Sequence, residues 1–113
     1  MSTATTPPKR TDLLKTPVGD VSPDRLELAA YTTELAAGYV IERHRHTYST
    51  VGYVLEGKFR LEVGESGEKI FECGPGGVFT EPAGEIVSGK ALEATKLYIV
   101  LARQPGKPEA VLE

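Results

Sequence analysis

Short runs of alternating apolar and polar residues, each closed by glycine or proline, make up most of this chain. The clearest is Phe59-Arg60-Leu61-Glu62-Val63, the period-two pattern of a strand with one buried face. It follows Thr50 to Leu55 after only Glu56-Gly57-Lys58, a spacing that predicts a β-hairpin. Further strands are expected in Arg25 to Leu35, in Tyr39-Val40-Ile41 continuing to His46, in Lys69 to Cys73 and in Val78-Phe79-Thr80. Thr95 to Ala102 is the most hydrophobic run and is expected at the centre of a sheet.

Breakers separate these runs. Gly64-Glu65-Ser66-Gly67, Gly74-Pro75-Gly76-Gly77 and Pro82-Ala83-Gly84 all read as turns, because glycine and proline supply backbone angles that strands do not use. No run of ten residues has helical periodicity, and a single helical turn at Leu92-Glu93-Ala94 is the only helix expected. Many short strands at this spacing indicate an all-β sandwich or barrel. Residues 1–9, rich in Thr and Pro, are expected as a flexible arm, 10–103 as the barrel, and 104–113 as a tail beyond Gln104-Pro105-Gly106-Lys107-Pro108.

Composition narrows the partners. The 113 residues suffice for one compact domain. A net charge of −3 gives no electrostatic reason to expect nucleic acid or an anionic membrane. The N-terminus lacks an apolar leader and no run approaches the ~20 apolar residues of a membrane span. A cytoplasmic location is therefore expected. Cys73 is the only cysteine, which excludes an intramolecular disulfide and a cysteine-rich zinc site. At the end of the apolar Ile70-Phe71-Glu72 run it reads as a buried, inert thiol.

Candidate chemistry rests on the two histidines, His44 and His46. Alternate residues of a strand share a face, with Cα atoms roughly 6.6–7 Å apart. Imidazoles at that spacing can converge on one ion, since each metal–nitrogen bond is about 2.0–2.1 Å. A plain strand face with Arg43 and Arg45 interleaved is the alternative.

The surrounding spacing points to a family. Gly38, five residues, His44, one residue, His46, three residues, Thr50, six residues and Gly57 resemble the first sequence motif of the cupins. Gly76, five residues, Pro82, one residue and Gly84 resemble the second, and Tyr53-Val54-Leu55-Glu56-Gly57 is typical of the family. The resemblance implies a double-stranded β-helix, or jelly-roll barrel, that often forms homodimers. It also implies a metal site of three His and one Glu. Here Thr50 stands where the family has Glu, and Val87 where it has the third His.

A substitute carboxylate is therefore sought. Glu42 precedes His44 by two and would share its face on an unbroken strand. Glu81 and Glu85 flank Pro82-Ala83-Gly84 near the barrel mouth. Against each stands the plain alternative of a solvated surface side chain. The site so expected comprises His44, His46 and Glu42 as metal ligands, with Tyr48, Thr50 and Val87 in the pocket. The function expected is binding of a small organic ligand, with one divalent Zn, Ni, Mn or Fe held weakly. The alternative is a metal-dependent dioxygenase or isomerase using the same histidines. A phosphate-binding loop is not expected, since no Gly-Lys-Ser/Thr follows the glycine-rich turn.

Overall fold

The computed structural model describes residues 6–13, 27–104 and 106–112. Ten strands run in order: β1 Lys9–Asp12, β2 Glu27–Leu35, β3 Val40–His46, β4 Thr50–Glu56 and β5 Phe59–Val63, then β6 Lys69–Cys73, β7 Val78–Glu81, β8 Ile86–Ala91, β9 Thr95–Arg103 and β10 Ala110–Leu112. They form two five-stranded antiparallel sheets, ordered β1-β2-β9-β4-β7 and β10-β3-β8-β5-β6. Sequence neighbours β2 and β3, β4 and β5, and β6 and β7 fall in opposite sheets, which is the winding of a double-stranded β-helix. The hairpin expected of β4 and β5 is therefore not formed: the short turn carries the chain from one sheet to the other, and β5 pairs with β6 and β8.

Alternation explains most of the layering. In β5 the apolar Phe59, Leu61 and Val63 are buried while Arg60 and Glu62 are not. The β4–β5 turn passes through Gly57 at φ 87, where an added Cβ would lie 2.2 Å from the Ala94 carbonyl oxygen. Only glycine fits there. β9 holds the centre of its sheet, as its hydrophobicity predicts, and buries Leu97, Ile99 and Leu101.

Two aromatic rings join the sheets. The Phe79 ring lies over Gly52, its cross-strand partner, and the Phe59 ring lies over Gly89 of β8. The rings meet with centroids 5.2 Å apart and anchor a core that includes Val54, Val63, Val87 and Ala91.

Several expectations change. β8 carries Ser88, Gly89 and Lys90 and has no apolar alternation, yet it is the central strand of its sheet. Leu92-Glu93-Ala94 is a bend between strands, not a helical turn. Lys9, expected in the arm, opens β1, whose neighbour Arg10 stacks 3.7 Å from the Tyr31 ring centroid. Residues 110–112, expected in the tail, pair with β3 as β10. Both are edge strands, held by backbone pairing that an apolar pattern does not record. Arg25 and Leu26 lie outside the described residues.

Candidate metal centre

The histidines reach the interior because β3 is irregular. Val40 and Ile41 pair with Lys90 and Gly89, whereas His44 and Arg45 pair with Val87 and Ile86, so one extra residue sits between Ile41 and His44. Ile41 already packs on the core. In a regular strand its face would continue with Arg43 and Arg45. The bulge shifts the alternation by one and turns His44 and His46 inward. Arg43 and Arg45 point away and bind the Glu65 and Gly84 carbonyls respectively.

The bulge also removes Glu42. An unbroken strand would have placed its carboxylate beside His44; instead its side chain is exposed, and its backbone carbonyl accepts a hydrogen bond from His44 Nδ1 at 2.7 Å. The carboxylate that does arrive is Glu81, 7% exposed at the end of β7. Glu85 is exposed. Along β7, Phe79 and Glu81 are buried while Val78 and Thr80 are not, so the charged residue continues an inward apolar face.

Glu81 also stands directly opposite Thr50 in the β4–β7 register. The carboxylate missing from position 50 is thus supplied by the neighbouring strand. Opposite residues of an antiparallel pair have Cβ atoms about 4.5–5.5 Å apart on one face, so the transfer moves the group by little more than a strand spacing.

Three donor atoms converge. His44 Nε2 lies 3.1 Å from His46 Nε2 and 3.4 Å from Glu81 Oε2, and His46 Nε2 contacts the same oxygen. The rings sit edge to face with centroids 4.8 Å apart. The other ring nitrogens are engaged: His44 Nδ1 donates to the Glu42 carbonyl, and His46 Nδ1 meets Thr50 Oγ1 at 3.3 Å. The Thr50 hydroxyl donates to the Tyr48 carbonyl at 3.4 Å, so its oxygen accepts from His46. That network assigns both neutral imidazoles the Nδ1–H tautomer and turns both Nε2 lone pairs toward the carboxylate.

Lone pairs aimed at a carboxylate require a cation between them. A proton on one of the imidazoles is one such cation. Burial opposes a charged His44, but its hydrogen bonds to Glu81 and to the Glu42 carbonyl raise its pKa above the usual value. Burial likewise raises the Glu81 carboxyl, yet hydrogen bonds from His44 and His46 prevail and hold it at about 2. A divalent metal would serve as well. Bonds of about 2.0–2.1 Å place donors about 2.9 Å apart at a right angle and about 3.4 Å apart in a tetrahedron, and the two distances from His44 Nε2 fall within that span. These three groups form the one cluster of candidate metal-ligating side chains among the described residues.

The remaining expected site residues take other roles. Thr50, 2% exposed, orients His46. Val87, 1% exposed and opposite His44, packs in the core and presents no donor. The Tyr48 hydroxyl donates to Gln104 Oε1 at 2.9 Å. Cys73 is partly buried against the core.

Two wrapped sheets enclosing a histidine–carboxylate cluster define a double-stranded β-helix protein with a candidate metal centre. The chain belongs to the cupin family: the cupin domain model matches residues 31–90, more than half of its length. No match was found among curated protein sequences. Among solved structures, KdgF from Halomonas sp. is similar at 24% identity and TM-score 0.69, over 88% of this chain and 83% of that one. The Cnp3 cupin domain of Schizosaccharomyces pombe is similar at 25% identity and TM-score 0.66, over 86% and 61%. A Bacillus subtilis oxalate decarboxylase, described for its Mn(II) centres, is similar at 23% identity and TM-score 0.68, over 88% of this chain and 26% of that one.

Proposed function

We propose that this cupin holds one divalent transition-metal ion through His44, His46 and Glu81 and offers its open coordination positions to a small organic ligand. The observation that carries the reading is that both Nδ1 atoms are tied to oxygen partners while both Nε2 atoms face a buried carboxylate. Metal-ligating histidines characteristically have their second nitrogen fixed in this way. Two imidazoles and one carboxylate are also the donor set of sites that keep positions open.

When bound, the ion would supply Lewis acidity to an oxygen donor. The chain's own residues supply geometry and shielding. The Glu42 carbonyl and Thr50 hydroxyl fix the two ring planes. Val87 gives the position beside His44 an apolar surface, so no fourth side-chain donor competes for it from β8.

Metal-free protein equilibrated with Zn, Ni, Mn or Fe and then dialysed is expected to retain close to one ion per chain. His44→Ala and His46→Ala should each weaken retention by at least ~100-fold, with the β-sheet circular dichroism unchanged. Elemental analysis checks this directly. Wild-type protein that retains no more metal than the two variants would overturn the reading.

A further inference from the structure

The two sheets turn very different faces outward. On the sheet of β3, β5, β6 and β8 the outward residues include Arg43, Arg45, Arg60, Glu62, Glu72 and Lys90. A charged face of that kind suits the solvent side of an antiparallel sheet. The sheet of β2, β4, β7 and β9 has no such face. Its alternation buries Ala29, Val54, Phe79 and Ile99 and turns the intervening residues outward. The register aligns these in two rows across four strands. One row is Ala30, Val100, Val51 and Thr80; the next is Thr32, Tyr98, Tyr53 and Val78. None of the eight carries a charge, and Val51, Tyr53, Val78 and Tyr98 are each more than a third exposed. Leu28 and Leu55, both exposed, lie beyond the rows.

The size of this patch identifies its occupant. Strands about 4.8 Å apart and rows about 6.8 Å apart give four strands, with the leucines at either end, roughly 400–500 Å² in projection. Monomers rarely expose a contiguous apolar patch above a few hundred Å². A stable dimer buries roughly 800 Å² of each partner, as an apolar centre inside a polar rim. The patch supplies the centre. Glu34, Lys96 and Glu56 supply rim at one end, in a row that sets the lysine between the two carboxylates. Tyr53 and Tyr98 stand opposite each other within the patch, and tyrosine is enriched at interfaces. A two-fold axis brings one surface against itself, so a charge near the centre would meet its own kind. The charge-free rows avoid that repulsion, and a second copy presents a face equally flat and equally apolar.

We propose that the outer face of β2, β9, β4 and β7 is the interface of a homodimer, in which two copies stack these sheets against each other about a two-fold axis. Stacked sheets pack about 10 Å apart with their side chains interdigitated. The inference is independent of the metal-binding reading. Thr50 and Glu81 point inward on the same strands that turn Val51 and Thr80 outward, so a second copy backs the candidate centre without entering it.

Sedimentation equilibrium of the full chain across the micromolar range tests the proposal. Wild type should sediment with twice the 12.2 kDa of one chain. Val51→Lys and Tyr98→Lys should each raise the dimer dissociation constant at least ~30-fold, the effect of losing one central interface residue, because each places unpaired charge in a centre that water leaves. Both positions are open to solvent within one chain, so circular dichroism and the urea midpoint at low concentration should stay near those of wild type. Tyr53→Ser, which removes a ring and adds no charge, should weaken association in the same direction and decides the matter where a lysine variant fails to fold. Glu62→Lys, on the outer face of the other sheet, should leave association unchanged. A wild type that stays monomeric overturns the proposal and leaves the face to another segment or a different partner. A dimer that survives the folded Val51, Tyr53 and Tyr98 variants, or one that Glu62→Lys disrupts equally, places the interface elsewhere and overturns it as well.

Discussion

Exchanging Glu81 for glutamine is expected to weaken divalent metal binding by at least ~100-fold, since disturbing even a hydrogen-bond partner of a ligand typically costs 10–100-fold. Glutamine keeps the shape of the side chain and one acceptor oxygen while removing its charge. Loss of metal without loss of fold would therefore identify the carboxylate as a ligand. The register supplies a sharper version of this experiment. Thr50 and Glu81 are cross-strand partners on one inward face, so Glu81→Thr should lose the metal and the double exchange Glu81→Thr with Thr50→Glu should regain it. Recovery is expected to fall within about tenfold of wild type rather than to be complete. The double variant also removes the hydroxyl that orients His46. Equilibrium dialysis of the three variants against one metal decides the matter. Metal binding by Glu81→Gln equal to that of wild type would remove Glu81 from the donor set.

The placement of that carboxylate marks the boundary of what the sequence makes legible. The tight turn between β4 and β5, the alternation of β5 and the central position of β9 follow from residue pattern and turn chemistry. That β4 and β5 pass into opposite sheets rather than pair as a hairpin is set by their partners β9 and β8, which no local pattern names. The inward turn of both histidines depends on a single extra residue in β3, and that residue is defined only by its pairing with β8. No alternation signals it, because Glu42 and Arg43 are as polar as the strand face they were expected to continue. The bulge then demotes Glu42 and leaves the carboxylate position to β7.

A local signal for Glu81 exists in the run Val78-Phe79-Thr80-Glu81: with Phe79 inward, Glu81 must follow it. Its opposition to Thr50 needs the strand order as well. β8 went unrecognised for another reason. Its inward Gly89 gains its cover from Phe59, a residue of another strand, and no pattern within β8 records that contact.

That cover matters still more at Gly52. Gly52→Ala is expected to destabilise the fold by about 1–3 kcal/mol, the usual range for overpacking a filled interior, and the metal centre should weaken with it. An added Cβ would lie 2.1 Å from Phe79 Cζ, with two further ring atoms within 2.6 Å. The ring cannot retreat freely, because Phe59 stands behind it at 5.2 Å between centroids and is itself only 1% exposed. Relief must then come from movement of β7, and Glu81 lies two residues beyond Phe79 on that strand. Phe79→Leu alone should also destabilise, by loss of ring contacts over the glycine. Combined with Gly52→Ala, however, the smaller side chain leaves room for the methyl, so the double variant should be more stable than the sum of the two single losses predicts. Residues in contact commonly show coupling of about 0.5–3 kcal/mol. Urea denaturation of the four proteins measures that coupling, and metal dialysis of the same set shows whether the centre follows the ring. Additive stabilities would mean that Phe79 does not rest on Gly52. An unaltered metal affinity in a destabilised Gly52→Ala would mean that Glu81 is positioned independently of the core beneath it.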